Sequence, residues 1–279
     1  MANDMVYHYT SLDVLALILA NRTIRFNNLC NLDDTFEKYV KSISFGNSEK
    51  NDGQVNLGRY CFVSCWSTEE ESISMWDMYG DRKKGVRIGL PKDMFQSITT
   101  LYPKSESHPL FNYDTPIKEY APDFFNIEYD RLQESDPSIL SENWKEGLDN
   151  LGKHKIPEWA FQKECRFRIF AYLDSKAKVN RYFSMEMEGF NPTGSSGYIG
   201  EEYLDLYLKD DVFSQMEITI GPKMPKERRI FLIALANKFN INETQIYESK
   251  FVDEEELKSL KLKSKYLKSI TFSRYSTTK

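Results

Sequence analysis

The residues best placed to do chemistry surround one carboxylate. Glu164 stands in Gln162-Lys163-Glu164-Cys165-Arg166-Phe167-Arg168, where Lys163, Arg166 and Arg168 crowd it. A carboxylate in that setting is either a structural anion in a salt-bridge network at a strand edge or part of a pocket whose basic side chains clamp phosphate oxygens. The tripeptide Gln162-x-Glu164 recurs as Gln215-x-Glu217, so by itself it separates nothing. His8, one of three histidines, is either a hydrogen-bonded core residue or a ring that holds a ligand. Trp76 and Tyr79, at helical i, i+3 spacing, form a core stripe or a stacking surface. Asp33, Asp34 and Glu37 are the close acids that could hold Mg²⁺. Cys61 and Cys65 share one face of a strand but lie about 13 Å apart at ~3.3 Å per residue, too far to share a metal. With Cys30 and Cys165 they read as buried small apolar residues in a reducing compartment.

These side chains need elements to hold them. Val6–Tyr9 reads as a strand carrying His8, followed by a helix over Leu12–Ala20, capped by Ser11 and apolar all round, and a second strand over Thr23–Phe26. Arg59–Trp66 is a strand, Ile73–Tyr79 a short helix, and Val86, Ile88 and Leu90 alternate as in a half-buried strand ending at Pro91. Prolines break up residues 102–157, where Trp144–Leu151 is the better helix. Cys165–Tyr172 is a strand with Arg166 and Arg168 on one face and Phe167, Ile169 and Ala171 on the core face. Strands over Tyr203–Leu208, Met216–Gly221 and Gln245–Glu248 and an amphipathic helix over 225–239, through Ile230, Ile233, Ala236 and Phe239, complete the pattern. It predicts an α+β fold, a mixed or antiparallel sheet core with flanking helices. Residues 1–250 read as one domain and 251–279 as an acidic-then-basic helix or tail.

Composition narrows the possibilities. With 41% hydrophobic and 14% aromatic residues, the 279-residue chain can bury a large core. No apolar run reaches the ~18 residues of a membrane span, and Met1–Tyr9 has no signal-peptide pattern, so a cytoplasmic protein is expected. The net charge is −5, yet residues 257–279 carry seven cations and no acid. That basic segment reads as a solubilising end that pairs with Asp253–Glu256. No Gly-rich dinucleotide fingerprint, P-loop or nucleophile elbow is present, which argues against Rossmann enzymes, P-loop NTPases and α/β-hydrolases.

Tyr7-His8-Tyr9-Thr10-Ser11, followed by Asp33-Asp34-Thr35-Phe36-Glu37, resembles the opening of the bacterial domain-of-unknown-function 2971 family. That family usually has Asn-Asp-Pro-x-Glu at the second element, where this chain has Asp33 for the Asn and Thr35 for the Pro. Phe62–Ser67 leading to Ser74-Met75-Trp76-x-x-Tyr79, Trp159–Phe167, and Ile218-Thr219-Ile220-Gly221-Pro222 extend the resemblance over residues 7–222. The order of a strand histidine, an aromatic and serine segment, and a glutamate before a later strand is also similar to the His-Tyr-Glu pattern of the ADP-ribosyltransferase superfamily.

That second resemblance implies NAD as substrate and no metal. It places His8, with Tyr9 and Thr10, on the adenosine ribose, Tyr79 on the nicotinamide, with Trp76, Ser64 and Ser67 beside it, and Glu164 on the nicotinamide ribose 2′-hydroxyl. A fixed carboxylate there would stabilise the oxocarbenium-like sugar as the glycosidic bond stretches. Arg166 and Arg168 would meet phosphate oxygens, and Asp34 and Glu37 would rim the same cleft. The expected function is NAD consumption, by ADP-ribose transfer or hydrolysis, in an effector of the toxin or anti-phage kind. A non-enzymatic module that binds a nucleotide or partner is the alternative, and a metal-dependent nuclease a distant third. The NAD reading expects His8, the Cys61–Ser67 strand and Glu164 to converge on one concave site.

Overall fold

The computed structural model describes residues 4–32, 42–44, 54–99, 119–131, 148–174, 179–183 and 196–253. The chain opens with β1 (Met5–Thr10), α1 (Leu12–Asn21) and β2 (Thr23–Asn28). The Ser11 hydroxyl accepts the Val14 amide at the head of α1, and Arg22 closes it in the left-handed conformation, returning its amide to the Ile18 carbonyl. Leu12, Leu15, Ile18 and Leu19 are buried, whereas Val14 and Leu17 face solvent. The helix expected to be buried all round therefore buries one stripe, because it packs on a single face of the sheet.

Next come β3 (Cys61–Ser67), α2 (Ile73–Met78), β4 (Val86–Pro91), β5 (Asp123–Asn126) and β6 (Glu164–Asp174). The large sheet and its helices are completed by β7 (Val179–Phe183), β8 (Ser196–Gly197), β9 (Tyr203–Tyr207), β10 (Glu217–Ile220), α3 (Lys226–Lys238) and β11 (Ile246–Glu248), and short two-stranded ladders lie beside it. Eleven strands join one sheet whose main path is β7-β6-β3-β1-β4-β10-β11. Strands β5 and β8 pair with β6, and β2 pairs with β3 and β9. Strands β10 and β11 run parallel and β1 and β4 antiparallel, so the fold is α+β on a mixed sheet.

One edge of β3 is shared by two neighbours. Tyr7 of β1 faces Ser67 near the end of β3, while Asn27 and Asn28 of β2 face Val63 and Phe62 nearer its start. The sheet forks between them, at residues 64–66, and α1 joins the two prongs. The opposite edge of β3 pairs without interruption with β6, from Glu164 opposite Ser67 to Phe170 opposite Cys61.

The main core lies on one face of the sheet and includes Leu15, Phe26, Phe62, Trp66, Ile88, Phe167, Ile169 and Leu232. Two smaller clusters cover the other face, one around Leu29, Tyr60, Val63, Leu151 and Phe170 and one of Tyr9, Met75 and Trp76. Both faces being covered, all six residues of β4 are buried rather than every second one. Helix α3 buries Arg229, Leu232 and Ala236; of the expected stripe, Ala236 and Phe239 meet the core, whereas Ile230 and Ile233 are exposed. Arg229 fixes that rotation by donating to the Met224 carbonyl and the Glu248 carboxylate. Among the described residues no helix is long and apolar enough to cross a membrane. The expected helix over 144–151 is described only from Leu148, and the acidic-then-basic segment lies outside the described residues beyond Asp253.

Candidate functional site

A cleft of ≈ 180 Å³ opens at the fork of the sheet. Its walls come from Tyr7, His8 and Tyr9 of β1, Cys65 and Trp66 of β3, Met75 of α2 and Tyr79 just after it. Leu32, Lys155, Trp159, Gln162, Glu164 and Arg166 complete them. Leu32 and Cys65 pack against one of the small clusters on this face, and Tyr9 and Met75 belong to the other. The cleft is thus the gap left where two separate coverings of the sheet fail to meet.

Strand alternation puts Glu164, Arg166 and Arg168 on one face of β6, and all three are buried. Glu164 Oε1 accepts from Arg166 Nε at 2.6 Å and Oε2 from Lys155 Nζ at 2.5 Å. Burial alone would raise the pKa of this carboxyl, but the charges of Arg166 and Lys155 more than reverse that and hold it at about 2. The backbone N–H of Glu164 donates to Tyr129 Oη at 2.7 Å, and burial pushes that phenol up to about 12. Arg166 also donates to the Gly152 carbonyl, and Lys155 to Gln162 Oε1. Two cations thus flank this one carboxylate on the floor of the cleft.

The fork explains His8. Its Nδ1 lies 2.9 Å from the Cys65 carbonyl, in the stretch of β3 where β1 no longer supplies a ladder partner. A carbonyl only accepts, so Nδ1 carries the proton and Nε2 is left as an acceptor. Burial lowers the pKa of the ring and the bond to Cys65 opposes that, leaving a neutral imidazole tilted against Trp66, centroids 5.2 Å apart. Tyr9 meets Trp76 edge-on and accepts the Ser72 amide on its hydroxyl; burial pushes it up to about 12. Tyr79 is 43% exposed and its hydroxyl accepts from Gln162 Nε2 at 2.8 Å. Trp159 faces Lys155, whose Nζ is 5.6 Å from the ring centroid.

His8, Tyr9, Tyr79, Glu164 and Arg166 therefore meet in one cleft, together with part of the Cys61–Ser67 strand. The other expected residues that are described do not line it. Arg168 is buried but spends its guanidinium on the Leu148, Asp149 and Leu151 carbonyls, ending a helical turn rather than meeting a ligand. Ser64 accepts the indole N–H of Trp66, and Ser67 donates to the Gln162 carbonyl while accepting the Glu69 amide. Trp76 is a core residue whose indole donates to Glu71. Thr10 is buried opposite Val86 at the end of β1. Lys163, expected beside Glu164, is exposed in a left-handed turn. Asp34 and Glu37, with Asp33, lie outside the described residues.

Lys155, Trp159 and Gln162 were not anticipated as cleft residues. Lys155 pairs with Glu164 only because the short strand His154–Lys155 runs parallel to Glu128–Tyr129, a long-range pairing with no signal in the local sequence. Trp159 and Gln162 stand in the segment that carries the family resemblance, and that was the available signal. Near the same ladder, Glu128, Asp130 and His154 offer ligand atoms within 4.8 Å of one another, a set that could hold a divalent cation. His154 Nδ1 is 3.1 Å from Asp130 Oδ2, and the Asp130 side chain is 40% exposed.

Comparison with known proteins adds one finding to this geometry. No curated protein and no solved structure matches the chain. Residues 75–167, which run from α2 into β6 and include Tyr79, Glu164 and Arg166, match the family model DUF2971, described as a protein of unknown function, so this stretch is identified as a DUF2971 domain.

Proposed function

We propose that the cleft takes a nucleotide of the NAD class and that Glu164 acts at its glycosidic bond, making the protein an NAD-consuming, ADP-ribosyltransferase-like enzyme. One observation carries this reading: His8, Tyr79 and Glu164, from three distant parts of the chain, line a single aromatic cleft. Tyr79 and Trp159, neither of them buried, offer ring surface to a flat base. Each Glu164 oxygen accepts one cation and keeps a second lone pair, so the carboxylate can accept from a ribose hydroxyl without giving up either ion pair. The cleft is smaller than the ~300–1,000 Å³ of pockets that enclose a whole drug-sized ligand, so it fits the reacting end of a dinucleotide.

Purified protein incubated with NAD, alone and with cell extract, should release nicotinamide, and labelled ADP-ribose should appear on water or on an acceptor. Glu164→Gln keeps volume and hydrogen bonding but deletes the charge. It should lower turnover about 100-fold, the equivalent of ~3 kcal/mol, while the protein still binds NAD. A folded Glu164→Gln protein with full activity would end the assignment. NAD depletion in cells expressing the protein would fit a toxin-type or anti-phage effector.

A second reading has its own support, because both Glu164 oxygens are already engaged by cations, as in a structural carboxylate. A nucleotide-sensing module built on this cleft would bind NAD or ADP-ribose and leave nicotinamide bound to its sugar. The same incubation separates the two.

A further inference from the structure

Four arginines of the described residues are nearly or wholly buried, and three have an acid within ion-pair distance. Arg166 has Glu164, Arg168 has Asp123 and Asp149, and Arg229 has Glu248. Arg87 of β4 is the exception. It is 3% exposed, its Nη2 donates to Thr219 Oγ1 at 2.7 Å, and its Nε and Nη1 are buried without a hydrogen-bond partner. Glu217 and Glu70 are near enough to act on the Tyr7 hydroxyl together with Arg87, but among the described residues no acid is within ion-pair distance of this guanidinium; a buried cation so placed is costly, and the cost falls when an anion reaches it.

Arg87 also borders the cleft. It sits opposite Tyr9 in the β1–β4 ladder, and the Tyr7 ring, which helps line the cleft, lies over its guanidinium with 4.2 Å from Cζ to the centroid. Gly89 makes room for that ring, since a Cβ at this position would stand 3.0 Å from Tyr7. Tyr7 is only partly buried, so it is the cover that can turn aside. One register row runs Glu164, Ser67, Tyr7, Gly89 across the sheet. Three strand spacings at ~4.8 Å put the two ends roughly 14 Å apart.

We infer that Arg87 anchors an oxyanion subsite beside the cleft, covered by the Tyr7 ring, and that it takes a phosphate group. Deepened by the NAD reading on which this source of the phosphate rests, the subsite holds the phosphates of an extended nucleotide whose sugar lies at Glu164. A guanidinium provides planar paired donors suited to phosphate, and a ligand that spans the row must be longer than a single ring.

Binding of inorganic pyrophosphate and of ADP-ribose, measured by calorimetry and as the shift in melting temperature, tests the subsite. Wild-type protein should be shifted upward by both, with ADP-ribose at least tenfold tighter, and Arg87→Met, which keeps packing and deletes the cation, should lose both shifts. Shifts of equal size in wild type and Arg87→Met, or none in wild type, would overturn the subsite. Pyrophosphate that binds as tightly as ADP-ribose, with both dependent on Arg87, would keep the subsite and overturn its link to a nucleotide. Should Arg87→Met not fold, Arg87→Lys keeps the charge without the fork and must weaken pyrophosphate binding at least tenfold; unchanged binding overturns the proposal. Failure of the NAD reading looks different, as Arg87-dependent binding with no nicotinamide release. NAD turnover with an unchanged KM in the Arg87 variant spares that reading and removes the subsite.

Discussion

Glu164 and His8 both have shifted titrations, and both shifts make acid destabilising. The Glu164 pKa is about 2 in the folded protein against an ordinary 4.5, because Arg166 and Lys155 more than offset its burial. A folded pKa below the unfolded one contributes stability that is present above the unfolded value and lost as pH falls through the folded one. The contribution is about 3 kcal/mol and should vanish between pH 4.5 and about 2. His8 is likewise lowered, mainly by burial, so its contribution is present above the ordinary 6.5 and fades as pH falls below it. Acid unfolding followed by circular dichroism should therefore begin below pH 6.5 and steepen below 4.5, and Glu164→Gln should flatten the lower part. An NMR titration of the His8 ring should give a midpoint under 6.5. A curve flat from pH 6.5 to 3 would contradict both shifts. At this scale the sequence was a mixed guide. The alternation Glu164, Arg166, Arg168 did put three charges on one face, but which cation meets the carboxylate depended on Lys155, nine positions upstream and reached only through a tertiary ladder.

Most elements were legible because their signals are local. Ser11 before an apolar run, alternation in Cys165–Tyr172, and the strand-helix-strand run at the C-terminal end all map onto observed elements within a few residues. The fork of the sheet was not legible, since the single pairing of Tyr7 with Ser67 depends on where two distant strands meet. Nor was the conformation of the turn between α2 and β4. Asp81, Arg82 and Lys83 take three successive positive φ angles of 49°, 53° and 71°, a conformation that costs a side-chain-bearing residue ~1–2 kcal/mol. The turn keeps that conformation because Gly85 and Gly221 let it pack closely, with the Gly221 amide bonding the Gly85 carbonyl and the Lys223 amide bonding that of Lys83. A Cβ at Gly85 would lie 2.2 Å from the Thr10 carbonyl, so this turn also fixes the end of β1. Arg82 is exposed, and Arg82→Gly should raise the melting free energy by about 1 kcal/mol, the relieved strain less the added flexibility of glycine. Thermal unfolding checks this, and a destabilised variant would show that the Arg82 side chain contributes something its exposure does not reveal.

For the molecule as a whole, β3 is the shared strand. Both prongs of the fork and the long strand β6 pair with it, so neither side of the sheet has an edge of its own to stand on. Unfolding should accordingly be a single transition. The reporters are well spread, with Trp66 in the main core, Trp76 in a small cluster on the opposite face and Trp159 in the cleft wall. Tryptophan fluorescence and far-ultraviolet circular dichroism should give coincident melting curves, and two separated midpoints would show that the coverings of the second face unfold on their own. The same arrangement has a consequence for synthesis. During translation β1 and β3 emerge long before Lys155, Glu164 and Arg166, and a nascent chain short of residue 155 has none of the three charged groups on the cleft floor. The ribosome thus delivers the β1 and β3 walls of the cleft first and its charged floor last, and the site stays incomplete until Arg166 has been made.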